Sequence, residues 1–218
     1  MPSLKEIKNR ITSVQSTRKI TSAMKMVASS KLHHAQMMIE NMLPYENLLE
    51  SMLKTYLEAE VDARTVLTLP REVKKAALVV FASNSSLCGG FNANVLKMMQ
   101  QAVDGYKKRG VEVIIYPVGR KVSEKVNKLG LNTAGNFNSL ADKPNARDCV
   151  KIGEELQELF RKDEIDAVEM IYHHFKSAGS QILLTKKLLP IDVEKAMDYD
   201  HTRDLENNVV TADAQAYL

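Results

Sequence analysis

LKEIKNRITSVQSTRKITSAMKMVASSKL, residues 4–32, decides how the rest of the chain is read. It holds no Gly and no Pro, and its one acid is Glu6. Leu4, Ile7, Ile11 and Val14 recur at spacings of 3, 4 and 3, the seam of a coiled coil. The seam lapses at Thr17–Lys19 and resumes with Ile20, Met24 and Val27. It then meets Lys31 where another apolar residue is due. Ser3 can cap the helix, and Glu6 three residues on completes a capping box. Within residues 17–32 four side chains are cationic and seven are Ala, Ser or Thr. The segment reads as a slim, positive helix with few large groups to bury.

Outward from this stretch the helical pattern continues. The first Gly is Gly89, and Pro44 and Pro70 are the only prolines between it and residue 2. Residues 3 to about 60 therefore read as nearly uninterrupted helix. Pro44 is expected to kink or break it, because proline lacks an N–H and crowds the preceding turn. ENLLESMLKTYL (46–57) resumes the pattern. At ~1.5 Å per residue, some 50 residues span about 75 Å, more than a compact body of this chain, so part of the arm should project. An isolated helix gains little from propensity alone, so the apolar seam asks for a partner helix.

Charge agrees with an arm and a body. The 218-residue chain carries +3 in total, but residues 1–34 hold seven Lys or Arg against Glu6, a local +6. The remainder is −3, so the arm should meet an acidic partner. Apolar residues make up 44%, enough for a buried core. No apolar run approaches the ~20 residues that cross a bilayer. The start, MPSLKEIKNRI, lacks the apolar stretch of a signal peptide, so a reducing cytoplasm is expected. Cys88 and Cys149 are too few for a disulfide framework and lack zinc-ligand spacing.

Residues 71–192 change character. KAALVVFA (75–82), VEVIIYPVG (111–119), AVEMIYHHF (167–175) and SQILLTKKLLPI (180–191) read as strands, the last two joined as a hairpin by KSAG. Residues 93–110, 120–130 and 145–163 read as helices. The expected class is α/β: a long N-terminal helical arm (1–70) and a three-layer α/β domain (71–192) with a mostly parallel sheet. A polar segment (193–218) follows, whose VVTADAQAYL could begin a helix.

Catalytic constellations fail on geometry. His173 and His174 are adjacent on a strand and point to opposite faces, which argues against a shared metal; nothing in the spacing supports a thiol–imidazole pair with Cys88, and a small buried Cys is far commoner. His33 and His34 diverge on a helix, and Glu154–Glu155 read as a solvated helix face. No catalytic, metal or cofactor site is expected. The strand–loop–helix passage SNSSLCGGFN (83–92) sits where α/β folds bind phosphate, but lacks the Gly-Lys-Ser/Thr of a P-loop and a third glycine. Gly89 and Gly90 are read as a tight turn that permits close backbone packing. Nucleic-acid binding by the basic arm is an alternative, as is a nucleotide-binding regulatory domain. The first 44 residues hold no aromatic, unlike most such arms.

Residues 4–32 closely resemble the N-terminal signature of the gamma subunit of F-type ATP synthases. SSLCGGFNANV (85–95) resembles that family's second landmark, after the first strand of its α/β domain. The resemblance implies a non-catalytic rotor of a proton-translocating synthase. Its N-terminal helix pairs with a C-terminal helix as an antiparallel coiled-coil shaft inside a hexamer of alpha and beta subunits. The α/β domain lies beside epsilon and the c ring, peripheral to the cytoplasmic face of a bacterial inner membrane. The seam Leu4, Ile7, Ile11, Val14, Ile20 and Val27 would face the shaft's partner helix. Met24 would face the acidic lever loop of beta, with Lys19 and Lys25 nearby and Arg18 and Lys31 helping. Two departures stand out. Asn84-Ser85-Ser86 replaces the family's Asp-Arg-Gly, which removes a charge pair. The chain is also expected to lack the C-terminal helix, leaving the arm to self-associate or to lie on the body.

Overall fold

In the computed structural model the described residues are 3–59, 66–177 and 179–191, with side chains omitted at 50 and 54–59. The segment 193–218 lies outside them. The chain divides after Tyr56 into two compact units.

Among the described residues the first unit is formed by helix α1, Leu4–Ala59, whose last three residues belong to the second unit. Ser3 Oγ accepts from the Glu6 amide at 3.3 Å, but the reciprocal half of the capping box is absent. The Glu6 carboxylate instead accepts from Arg10, one turn on, at 3.3 Å. Thr12, Thr17 and Thr21 donate to carbonyls four residues back, at 3.0, 3.0 and 2.9 Å. Their hydroxyls are thus satisfied within the helix rather than competing with it. The expected break at Pro44 does not occur, since α1 runs through it. One proline forfeits a single i→i−4 bond, and the turns on either side hold good helix formers.

The second unit contains β1 (Lys75–Phe81), α2 (Phe91–Lys108), β2 (Glu112–Val118), α3 (Arg120–Leu129), α4 (Asn138–Asp142), α5 (Ala146–Arg161), β3 (Ala167–Ser177) and β4 (Ser180–Leu189). A 3-10 turn at Val66–Thr68 precedes them. The sheet order is β2-β1-β3-β4. β1 pairs parallel to β2 and to β3, and β3 pairs antiparallel to β4. This is the expected three-layer α/β arrangement. The path moves one way through α2, then returns across β1 to β3. Right-handed crossovers therefore put α2 and α5 on opposite faces.

Alternation along the strands supplies both cores. Ala76, Leu78 and Val80 face Val95, Met99 and Val103 of α2 and Val122 and Val126 of α3. Ala77 and Val79 face Leu140, Leu156 and Phe160 on the other side. Tyr116 is fully buried there and donates to Glu155 Oε1 at 2.9 Å. Burial and this carboxylate push its ionisation well above the usual phenol range.

Helix ends follow the local chemistry. Gly130 is left-handed (φ 62°) just past α3, the position where a Cβ is penalised. Asn145 caps α5 by accepting from the Asp148 amide at 2.9 Å. α4 was not anticipated, because five residues are too few to show a period.

Gly89 has φ +53°, so the SNSSLCGGFN loop does turn there. The close backbone approach expected at the glycine pair is absent. A Cβ on Gly89 meets nothing within 4 Å, and one on Gly90 meets only the Asn94 side chain at 3.5 Å. The close approach falls at Gly119, between β2 and α3, where a Cβ would lie 2.0 Å from the Ala82 carbonyl oxygen.

Candidate functional site

Two regions were singled out: the basic face of α1 and the loop between β1 and α2. Arg18, Lys19, Lys25 and Lys31 are all exposed on α1, and Met24 is 51% exposed beside them. Leu4, Ile7, Ile11, Val14, Ile20 and Val27 are 44–89% exposed. Between residues 3 and 49 only Gln36, Ile39 and Leu43 are half-buried. A helix that keeps this many large apolar groups in water is built for contact rather than for a core.

The seam is longer than the sequence reading found. Past Lys31 and His34, Met38, Met42, Tyr45, Leu49 and Met52 continue it at spacings of 4, 4, 3, 4 and 3, all exposed. The signal was present in the spacing. Two polar residues, Lys31 and His34, interrupt it and hide its continuation.

The loop is held by its own polar side chains. Asn92 Oδ1 accepts from the Ser83 amide at 3.0 Å, and Asn92 Nδ2 donates to the Ser85 carbonyl at 2.8 Å. Asn84 Nδ2 donates to the Asn138 carbonyl at 2.9 Å and to Asp142 at 2.7 Å. Asn84 Oδ1 accepts from the Arg120 amide at 2.7 Å. The Asn84 side chain thus joins the loop after β1 to α3 and α4, and it caps α3 where Gly119 has no side chain to do so. Cys88 lies 3.2 Å from Ser83 Oγ, inside this network.

Phe91 stacks on His173 with ring centroids 4.1 Å apart. Burial lowers the His173 pKa below its usual 6.5, and its Nδ1 is buried without a partner. The folded state therefore takes up this proton less readily than the unfolded chain, which does so as pH falls through about 6.5. Stability contributed here is present above that pH and is lost below it. The stability gap between wild type and His173→Gln, measured by urea unfolding, should be constant above about pH 7 and shift against wild type below it. A gap independent of pH from 5 to 8 would contradict the burial of a neutral ring.

Among the described residues no cluster of His, Cys, Asp or Glu could hold a metal ion. No described helix is long and apolar enough to cross a membrane.

The ATP synthase family model matches residues 3–218. The ATP synthase gamma chain of Bacteroides fragilis is 50% identical over 219 residues, covering 100% of this chain and 76% of that one. The chain belongs to the ATP synthase gamma-chain family. The gamma chain of Phocaeicola vulgatus is 52% identical over 194 residues, covering 88% of this chain and 67% of its own. Among solved structures, the central stalk and c ring of Tetrahymena thermophila mitochondrial ATP synthase matches with a TM-score of 0.58 and 22% identity. That match covers 83% of this chain and 84% of the other, and it shows a shared fold. Gamma chains are non-catalytic subunits, consistent with a long contact helix joined to an α/β unit.

Proposed function

We propose that the chain is the central-stalk rotor of a proton-translocating F-type ATP synthase. It couples rotation of the c ring to ATP synthesis on beta subunits. The observation that carries this reading is α1 itself: 56 residues of helix with an exposed seam and a cationic face, in a chain 50% identical to a gamma chain. The partners are alpha and beta around the helix, with epsilon and the c ring beside the α/β unit. The site is the cytoplasmic face of a bacterial inner membrane, occupied peripherally.

The helix chemistry suits a turning contact. A rotor needs attraction at every angle and a deep well at none. Exposed Lys–carboxylate pairs contribute only about 0–1 kcal/mol each, and Ala23, Ala28, Ser29 and Ser30 offer no knobs to lock. Met24→Lys should strengthen one contact with an acidic loop of beta. In membrane vesicles carrying the whole complex, hydrolysis should persist while hydrolysis-driven proton pumping falls several-fold. Pumping per ATP equal to wild type would remove Met24 from that contact.

The broader reading is tested by supplying the chain to alpha and beta subunits and following ATP hydrolysis. Assembly into an active complex supports it. Retention on DNA that weakens steeply with salt, without assembly, would favour the nucleic-acid alternative.

A further inference from the structure

The end of α2, the start of β2 and the turn after α3 enclose a cavity of about 180 Å³. Its wall is apolar: Val103, Val111 and Ile115 are buried, and Val113 and Leu131 are half-buried. Lys107 is exposed and lines it from α2. The acid at its edge, Glu112, is already engaged: its carboxylate lies 3.7 Å from Lys75 Nζ and accepts from Asn132 Nδ2 at 3.3 Å. We propose that this cavity binds a carboxylate carrying a single short apolar chain, with the chain against the valines and the head at Lys107 and Lys128.

The charge of the ligand follows from α3, which packs beside α2. Lys121, Lys125 and Lys128 recur at i, i+4 and i+7, on one flank of α3. Ser123, on the opposite flank, donates to Asn138 of α4 at 2.8 Å, which turns the lysine flank towards α2. Gly130, two residues past Lys128, lines the cavity. Lys121 is paired with Glu124 at 2.9 Å, whereas Lys107, Lys125 and Lys128 form no ion pair among the described residues. A lysine in a last turn answers the helix dipole by itself. Lys125 lies upstream of the last turn of α3, so the dipole does not account for the whole positive wall.

The size of the ligand follows from the cavity. Sites for drug-sized ligands measure about 300–1,000 Å³. This smaller cavity takes a short chain and leaves the head outside, among the lysines. A carboxylate suits that mouth better than a phosphate. The cavity opens at the C-terminal ends of α2 and α3, where carbonyls rather than N–H groups are left over, and phosphate is best held by converging N–H groups. The site lies wholly within the α/β unit and does not rest on the rotor reading.

The test is methyl NMR of the 218-residue chain with labelled Val, Leu and Ile, titrated with sodium octanoate. Shifts should appear at Val103, Val111, Val113, Ile115 and Leu131 and saturate with a Kd of about 1 mM or below. From butanoate to octanoate the affinity should rise by up to about fourfold for each methylene buried, then level off once the cavity is full. Octanol and octylammonium should bind the same methyls more weakly than octanoate. Lys107→Glu combined with Lys128→Glu should weaken octanoate about tenfold and leave octanol unchanged. Lys97→Glu, exposed towards the other end of α2, should change octanoate binding less than twofold. Shifts confined to the exposed seam of α1, equal binding of octanoate and octylammonium, or indifference to the paired lysine reversal would each overturn the proposal.

Discussion

Gly119→Ala should be among the most damaging single changes in the α/β unit, lowering its stability by about 3 kcal/mol or more. Gly119 has φ 110° and ψ 144°, a region open in practice only to glycine. Backbone strain is the smaller part of the cost. A methyl there would lie 2.0 Å from the Ala82 carbonyl oxygen and 2.8 Å from its carbon. That oxygen belongs to the backbone, so no side-chain rotation relieves the clash. The Ala82 amide donates to the Val118 carbonyl at 2.9 Å, which ties the end of β1 to the end of β2. Moving Ala82 away would open this ladder and disturb Ser83 and Asn84, which organise the following loop. Gly89→Ala is the control. It shares a positive φ but meets no neighbour, so it should cost only about 1 kcal/mol. Urea unfolding followed by tyrosine signals separates them, because the chain has no Trp and Tyr106 and Tyr116 are buried in the unit. Equal midpoints for the two variants would show that the contact between β1 and Gly119 is not tight.

Arg71→Ala should cost a comparable amount, about 3–5 kcal/mol. The guanidinium lies 4.0 Å over the Phe160 ring. Its Nη2 donates to the Phe160 carbonyl at 2.6 Å and to the Ile165 carbonyl, and Nη1 contacts Asp163. Nε lies 3.0 Å from Asp166, off line for a directed bond, so that pairing is electrostatic. Asp166 is buried and also accepts from the Lys74 and Lys75 amides at 2.9 Å each. Removing Arg71 leaves a buried carboxylate without its counter-charge and two carbonyls without their side-chain donor. The two acids should separate cleanly. Asp163 is 77% exposed, so Asp163→Ala should cost less than about 1 kcal/mol. Asp166→Ala should cost about 2–4 kcal/mol, since it strands two backbone donors as well. If Asp163→Ala proves as harmful as Asp166→Ala, burial does not set the strength of this network.

How far the sequence led depends on where the signal was local. Continuous β-branched runs such as Ala76–Phe81 marked the strands, and strand–helix alternation marked the parallel sheet. The hairpin followed from two runs separated by Lys176–Gly179. Arg71 was invisible, because its partners are some ninety residues away and only the pairing of β1 with β3 brings them together. Gly119 was assigned to the end of a strand, and nothing nearby in sequence reports the Ala82 carbonyl that makes glycine necessary. On α1 the basic face was legible as composition. The second half of the seam is masked by the polar residues Lys31 and His34, which break its apolar spacing. The loop 83–92 was recognised as a landmark, yet the joining role of Asn84 needed α4, an element too short to foresee.

As a rotor, α1 works as a rod inside a ring of other subunits. The direct measurement is cryo-electron microscopy of a complex assembled from this chain with alpha and beta subunits. One copy per alpha–beta hexamer is expected, with α1 on the central axis and Arg18, Lys19 and Lys25 facing acidic loops of beta. Hexamers with an empty axis, or with the chain attached only at their outer surface, would contradict it.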